Sequence, residues 1–377
     1  YRDGRRKAYV LVGKRKQFFP RRQLETIEYS IEDTYRGLYE RLRSYLSPLD
    51  GKPAAHESDR HLTFARYGLW NYVHPEKRDL PPYADLQRAG ANLRGLMRVM
   101  LFKRLESSVH AFRETVRRLL RIHRAFLAAL DQGIVPAGEE AQELLYESDQ
   151  NEEQALLDAL AQVSGRYNLA DIDAAALRAD LGEDIQVLEE MLTLVEAIPA
   201  TEDAKLQTLR TWLTRPPLCQ GKVLIFTQYA DTAQYLYNNL DPGHCHPKIE
   251  VIYSREKDKA EVVGRFAPRS NPEHRPPEGT PEIATLIATD VLSEGLNLQD
   301  CDKVVNYDLH WNPVRLIQRL GRIDRIGSEY DVVYAYNFLP ETALDQNLGL
   351  REKLERRIRE IHETIGEDAA ILDPVSG

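Results

Sequence analysis

The run Gln318-Arg319-Leu320-Gly321-Arg322-Ile323-Asp324-Arg325-Ile326-Gly327 sets two arginines, Arg322 and Arg325, three positions apart. On a helix, that spacing puts both guanidiniums on one face. A guanidinium is permanently charged and its planar fork matches phosphate oxygens. Such a residue suits a phosphoryl group in transfer, where it is worth about 10³–10⁵ in rate. Gly321 leaves room for close approach to the backbone. The plainer reading of the same residues is a basic helix making surface ion pairs. Upstream, Ala288-Thr289-Asp290-Val291-Leu292-Ser293-Glu294-Gly295-Leu296-Asn297-Leu298 runs from an apolar strand into a loop with a hydroxyl, a carboxylate and a glycine. Open α/β sheets bind ligands at the C-terminal ends of their strands. Thr289 suits a hydrogen bond to a backbone phosphate, and Gly295 suits a backbone N–H turned to a nucleotide. A tight strand–loop turn explains the same residues without chemistry.

These groups need a scaffold, and the chain provides one in its second half. Val223-Leu224-Ile225-Phe226 is a short continuous apolar run, suited to a parallel strand buried on both faces. Ile249-Glu250-Val251-Ile252-Tyr253 and the stretches 283–288, 303–307 and 332–338 read as further strands, with helical stretches between most of them. This alternation predicts a doubly wound α/β domain over 216–340. Residues 268–281, rich in Pro, Glu and Gly, read as a surface loop.

The first half reads differently. Tyr9-Val10-Leu11-Val12 suits a short strand. Leu24, Ile27, Ile31, Leu38, Leu42 and Leu46 have mostly helical or mixed spacing over about 20–46. A strong amphipathic helix carries Phe112, Val116, Leu119, Leu120, His123, Phe126, Leu127 and Leu130 on one stripe. Two more helical patterns use Leu156, Leu157, Leu160 and Val163, then Ile185, Leu188, Met191, Leu192 and Val195. A last one carries Leu350, Leu354, Ile358, Ile361 and Ile365. The expected organisation is a basic linker over 1–20, a helical region over 21–215, the α/β domain over 216–340 and a bracing helix over 341–377.

At 377 residues the chain has room for two or three domains. No apolar run approaches the roughly 20 residues that cross a bilayer, and no signal core follows the N-terminus. Three separated cysteines, Cys219, Cys245 and Cys301, point to reduced thiols and a cytoplasmic setting. The lack of an initiator Met points to a fragment. Net charge is -9, but it is unevenly spread: residues 1–24 carry nine Lys/Arg and one Asp, residues 131–204 nineteen Asp/Glu and two Arg. The basic run can meet phosphates; the acidic one stays solvated or faces a basic partner. Gly243-His244-Cys245-His246 lacks a fourth ligand at a zinc spacing, so no metal site is expected.

The order of motifs is specific. Residues 223–229, then 288–298, then Tyr307-Asp308-Leu309-His310-Trp311-Asn312-Pro313, then 318–327 resemble the C-terminal RecA-like lobe of superfamily-two helicases. The Asp-x-x-Trp-Asn-Pro element just before Gln-x-x-Gly-Arg-x-x-Arg resembles the Swi/Snf branch. The wording is similar to bacterial members of the RNA-polymerase-associated ATPase type. The resemblance implies a RecA-like parallel sheet sandwiched by helices, joined to a long, mainly α-helical N-terminal region. It makes Arg322 and Arg325 arginine fingers reaching ATP held by another lobe. It puts Gln318, Gly295 and Asp290 on the nucleotide side of a cleft, and Thr227, Gln228 and Thr289 on the nucleic-acid side. Trp311 and Asn312 become supports of the cleft, or a plain packing loop. The match is loose over 251–266, where no contacts are assigned.

What is missing shapes the biochemistry expected. No Gly-x-x-x-x-Gly-Lys-Ser/Thr loop is present to cradle phosphates, and no Asp-Glu pair follows an apolar strand to hold magnesium. ATP with magnesium is therefore expected only in a full-length protein that carries the first RecA-like lobe, and this chain alone is expected inactive, with no tightly bound cofactor. The implied partner is nucleic acid, duplex DNA first, with the helical region free to dock a protein and no membrane involved. The implied location is a bacterial cytoplasm, at the nucleoid included. Two other readings stay open: a non-catalytic scaffold with an inert lobe, favoured by the acidic stretch, and a strand-separating helicase on DNA or RNA.

Overall fold

The computed structural model describes residues 9–12, 15–18, 20–46, 60–84, 86–137, 167–241, 248–253, 259–292, 297–309, 313–324 and 329–341. They form two compact units. One comprises Tyr1–Thr34 and Ala200–Gly377; the other is Tyr35–Pro199. Gly295, Trp311, Asn312 and Arg325 lie outside the described residues, as do the His244-Cys245-His246 run, the 156–163 pattern and the final helix.

In chain order, the first unit opens with an antiparallel hairpin of β1 (Tyr9–Val12) and β2 (Arg15–Phe18). Next comes β3 (Arg21–Tyr29). This strand corrects the helical reading at its start, while Ile31–Tyr35 and Leu38–Leu46 are helical as expected. Thr26, Ile27 and Tyr29 are β-branched or aromatic, types that fit a pleated surface. Ile27 and Tyr29 are buried while Glu28 between them is exposed, the period of two of a strand. Pairing along β8 settles a sequence whose spacing alone suits either element. Past α1 (Ile31–Tyr35) the chain enters the second unit.

That unit holds α2 (Leu38–Leu46), α3 (Leu86–Ser107), α4 (Val109–Asp131) and α5 (Ala174–Glu196). Ser108 separates α3 from α4. Its backbone is extended and its hydroxyl accepts from the Ala111 N–H at 3.0 Å, so it caps the second helix. The expected stripe of α4 is buried at Phe112, Val116, Leu119, Leu120, His123, Phe126 and Leu130. Arg113 closes the end of α5, donating to the carbonyls of Val195 and Ile198 at 2.8 and 2.9 Å.

The chain returns to the first unit with α6 (Ala204–Leu213), capped by Asp203, whose carboxylate accepts from the Leu206 N–H. The rest alternates: β4 (Val223–Phe226), α7 (Ala230–Leu240), β5 (Ile249–Ile252), α8 (Lys259–Phe266), β6 (Thr285–Ala288), β7 (Lys303–Asn306), α9 (Pro313–Leu320) and β8 (Val332–Pro340). Six strands make one sheet in the order β3-β8-β7-β4-β6-β5, every neighbouring pair parallel. All four residues of β4 and of β7 are buried, as strands covered on both faces must be. The core under α8 uses Leu224, Phe226, Val263, Phe266 and Leu286. Gly264 lies so close to the loop over 268–281 that an added Cβ would sit 1.7 Å from the His274 carbonyl oxygen. Strand β3 and helix α6 thus belong with the sheet, and the mainly helical unit is shorter at both ends than the expected 21–215.

Candidate functional site

In a parallel sheet all strands end on the same edge, so the loops after β4, β6 and β7 converge there. These loops begin at Thr227, Thr289 and Tyr307. They are stitched together by the backbone: Thr227 N–H to Ala288 O (3.0 Å), Thr289 N–H to Ile252 O (3.2 Å) and Tyr307 N–H to Phe226 O (2.9 Å).

One side chain joins the loops after β6 and β7, and the end of β4, to α9: Arg319, which is fully buried. Its Nε and Nη2 donate to the two carboxylate oxygens of Asp290 at 2.7 and 3.1 Å. Its Nη1 donates to Asn306 Oδ1 at 3.2 Å and to the Asp308 carbonyl at 3.0 Å. The guanidinium also lies 5.0 Å from the centre of the Phe226 ring, the last residue of β4. A bidentate arginine–carboxylate pair fixes direction as well as distance. Asp290, expected to face a nucleotide, thus has both oxygens engaged by Arg319, and the structure gives it a positioning part.

Asp308 is a second junction. Its Oδ2 accepts from the Thr227 hydroxyl (2.5 Å) and the Gln228 backbone N–H (3.1 Å). Its Oδ1 accepts from Lys205 Nζ at 3.0 Å, in an ion pair with both side chains 6% exposed. Lys205, on α6, also lies 4.2 Å from the Tyr307 ring centre and 4.9 Å from that of Tyr29. Burial pushes the Tyr307 phenol far above its ordinary range, and the same desolvation pushes the Asp203 carboxyl up.

Thr227 is wholly buried and donates its hydroxyl to Asp308, so it braces the loop from inside. Gln228 is half-buried and donates from Nε2 to the Leu309 carbonyl at 2.7 Å. Thr289 is 8% exposed, with its hydroxyl 3.5 Å from the Tyr253 carbonyl, at the long limit of a hydrogen bond.

The arginine turn also departs from expectation. Helix α9 ends at Leu320, and residues 321–323 form a turn, so Arg322 lies beyond the helix. The chain closes there with Gly321 N–H to Ile317 O (2.8 Å) and Asp324 N–H to Leu320 O (2.9 Å). Glycine is among the poorest residues inside a helix, which explains the stop. The turn is anchored on two sides. The Leu298 N–H donates to the Arg322 carbonyl at 3.0 Å. Asp324, nearly buried, accepts from Arg22 Nε of β3 at 2.5 Å. Arg322 is half-buried. Gln318, one turn earlier, holds its Oε1 buried with no hydrogen-bond partner among the described residues.

Sequence reasoning missed Arg319 and Lys205. A signal was present for Arg319: it follows Leu316 by three positions and precedes Leu320, so it stands on the apolar face of α9. A cation there needs a carboxylate. Among the described residues no group of His, Cys, Asp and Glu could hold a metal ion. None of their helices is long and apolar enough to cross a membrane.

Residues 204–327 match the family model of the helicase conserved C-terminal domain. That segment contains every side chain of the site except Arg22, Tyr29 and Asp203. The parallel six-stranded sheet with flanking helices is the fold of a RecA-like helicase C-terminal lobe. The chain is 40% identical over 94 residues to the uncharacterized ATP-dependent helicase YqhH of Bacillus subtilis, covering 25% of this chain and 16% of that protein. It is 29% identical over 178 residues to the ATP-dependent RNA helicase DBP8 of Debaryomyces hansenii, covering 43% of this chain and 39% of the relative. Among solved structures, the C-terminal part of the Fun30 ATPase domain aligns over 89% of this chain and 90% of its own, at 12% identity and a TM-score of 0.40. The chain therefore spans well under half the length of these curated relatives. The sheet unit holds a helicase C-terminal domain of the kind found in ATP-dependent helicases.

Proposed function

We propose that the sheet unit is the second motor lobe of a Swi/Snf-type translocase that uses ATP to move on duplex DNA. One observation carries the reading: the turn that bears Arg322 is built directly on the buried Arg319. The Arg322 N–H donates to the Arg319 carbonyl at 3.2 Å, and Arg319 in turn grips the loops after β6 and β7. A half-buried guanidinium on a braced turn suits the preorganised charge that phosphoryl transfer needs.

The residues present fit a nucleotide reached from one side, and they do not fit one held by this chain. Arg322, with Arg325, would stabilise charge on the transferring phosphoryl oxygens. Gln318 would orient near the nucleotide. The phosphate cradle and the magnesium ligands would come from a first lobe, and ATP supplies the phosphoryl group. Gln228 and Thr289 would meet the nucleic-acid backbone, giving binding that is independent of sequence and weakened by salt. Closure of two lobes and reopening would step the motor along the strand.

A second reading, an RNA helicase, draws support from relatives whose names say RNA helicase, DBP8 of several fungi among them. One experiment addresses both. ATP turnover is measured for this chain and for the natural longer protein that contains it, each with duplex DNA, single-stranded DNA or duplex RNA. The proposal expects turnover only in the longer protein, raised most by duplex DNA. Stimulation by RNA alone replaces it with the second reading. Turnover indifferent to every nucleic acid sinks both.

A further inference from the structure

We propose that Lys205 is a positioning residue that couples nucleic-acid contact at the loop after β4 to the arginine turn after α9, acting through Asp308. The inference rests on the motor reading above and adds how its two ends communicate.

The contacts form one continuous chain. At the nucleic-acid end, the Gln228 N–H and the Thr227 hydroxyl both bind Asp308 Oδ2, and Gln228 Nε2 binds the Leu309 carbonyl. Whatever moves Gln228 therefore pulls on residues 308 and 309. Asp308 cannot simply yield, because Lys205 Nζ holds its other oxygen at 3.0 Å from a separate helix. At the far end, the Asp308 carbonyl and Asn306 Oδ1 hold Arg319, and the Arg319 carbonyl holds the Arg322 N–H. Without the lysine, a shift at Gln228 would be absorbed by rotation of the Asp308 side chain. With it, carboxylate and backbone of residue 308 move together.

Stability alone does not explain this lysine. A buried ion pair typically contributes no more than well-packed apolar residues of the same volume. Lysine is seldom buried, and this one is 5% exposed, boxed by the Tyr29 and Tyr307 rings. What the ammonium supplies, and an apolar side chain would not, is a fixed direction for the Asp308 carboxylate. Coupling of this kind is carried by packed side chains and hydrogen-bond networks.

The test uses the natural full-length protein and reads steady-state ATP turnover without and with saturating duplex DNA, together with the duplex concentration that gives half of the stimulation. Lys205→Met strands the Asp308 carboxylate, so Lys205→Met/Asp308→Asn, which removes both charges, is measured beside it. The proposal expects the double variant to melt near the wild-type temperature. In the double variant the ratio of stimulated to basal turnover falls about tenfold, within the usual range of coupling between sites, while the half-stimulating duplex concentration stays within about twofold. Unchanged stimulation in the double variant overturns the proposal. So does an equal fall of basal and stimulated turnover, which marks a stability role alone. If the wild-type protein shows no stimulation by any nucleic acid, the motor reading itself fails and the coupling falls with it. Stimulated wild type beside equally stimulated variants removes only the coupling.

Discussion

The two units bury charge in different ways. In the sheet unit two buried cations of the site have carboxylate partners: Arg319 with Asp290, and Lys205 with Asp308, each at the end of a strand whose loop they hold. In the helical unit the buried titratable groups are poorly matched. Asp184 on α5 is fully buried and accepts from Thr63 N–H (2.6 Å), Thr63 hydroxyl (3.1 Å) and Ala65 N–H (3.0 Å). His123 of α4 lies 3.9 Å from it, with Nδ1 against the Leu119 carbonyl and Nε2 lacking a hydrogen-bond partner. Arg66 nearby is also buried, stacked 4.3 Å from the Tyr67 ring. Burial pushes the Asp184 carboxyl up from 3.8 to about 6. Burial first, then the Arg66 charge, pushes His123 down from 6.5 to about 3. One unit uses buried charge as scaffolding for the loops at its strand ends. The other carries it as a cost that depends on pH.

The comparison is broken most sharply at Arg319. Arg319→Ala leaves Asp290, Asn306 and the Asp308 carbonyl without their shared donor. Removing one partner of a buried pair costs about 3–5 kcal/mol. Asp290 keeps 24% side-chain exposure, so the lower end is expected. Urea denaturation, followed by a probe in the sheet unit, should show this loss while the helical unit's transition stays in place. A loss under about 1 kcal/mol would mean that the loops hold without the hub.

The helical unit is tested by pH. Asp184 has a raised folded-state pKa, so its contribution is full below pH 3.8 and is lost as pH rises through about 6. His123 has a lowered one, so its contribution is full above pH 6.5 and is lost as pH falls through about 3. Between pH 4 and 6 the two slopes oppose each other, and the wild-type unit should be nearly flat. Asp184→Asn removes one of them, and stability should then fall by about 1 kcal/mol for each pH unit below 6. Melting curves across that range check the slope. A variant as flat as wild type would show that the pair does not set the pH response.

The smallest effect belongs to the surface of the same unit. Arg124 and Glu189 pair at 2.6 Å with side chains 59% and 47% exposed. Arg124→Ala should cost roughly 0.5 kcal/mol and lose that difference in high salt. A cost as large as that of Arg319→Ala would erase the distinction between matched core pairs and solvated ones.

The same contrast marks what the residues reveal on their own. Strand β4 is legible because the unbroken apolar run Val223-Leu224-Ile225-Phe226 admits few other readings, and β5 to β8 follow as short, mainly apolar stretches alternating with helical ones. Helix α4 is legible from one stripe at helical period. Strand β3 is not, since Leu24, Ile27 and Ile31 fit a helix until β8 supplies the pairing. The motif 318–327 announces its chemistry but hides its architecture. Arg322 and Arg325 attract attention because guanidiniums suit phosphates, whereas Arg319, three positions before Arg322, reads as a spacer. Only the fold shows it buried against Asp290. Thr227 hides its partner in the same way. A threonine at a strand end suits a phosphate, and nothing nearby in sequence reveals that Asp308 takes its hydroxyl. Long-range polar partners are set by topology, and local spacing carries little trace of them.

The central claim concerns Arg322, and it is tested most directly by the ATP turnover of the natural full-length protein with duplex DNA, wild type against Arg322→Ala. A residue that acts on the phosphoryl group in transfer lowers kcat and leaves the KM for ATP near its starting value. The account predicts a fall in kcat of about 10³ or more with KM changed little. An unchanged kcat would contradict it and leave the lobe as a folded domain whose arginine turn serves only to pack.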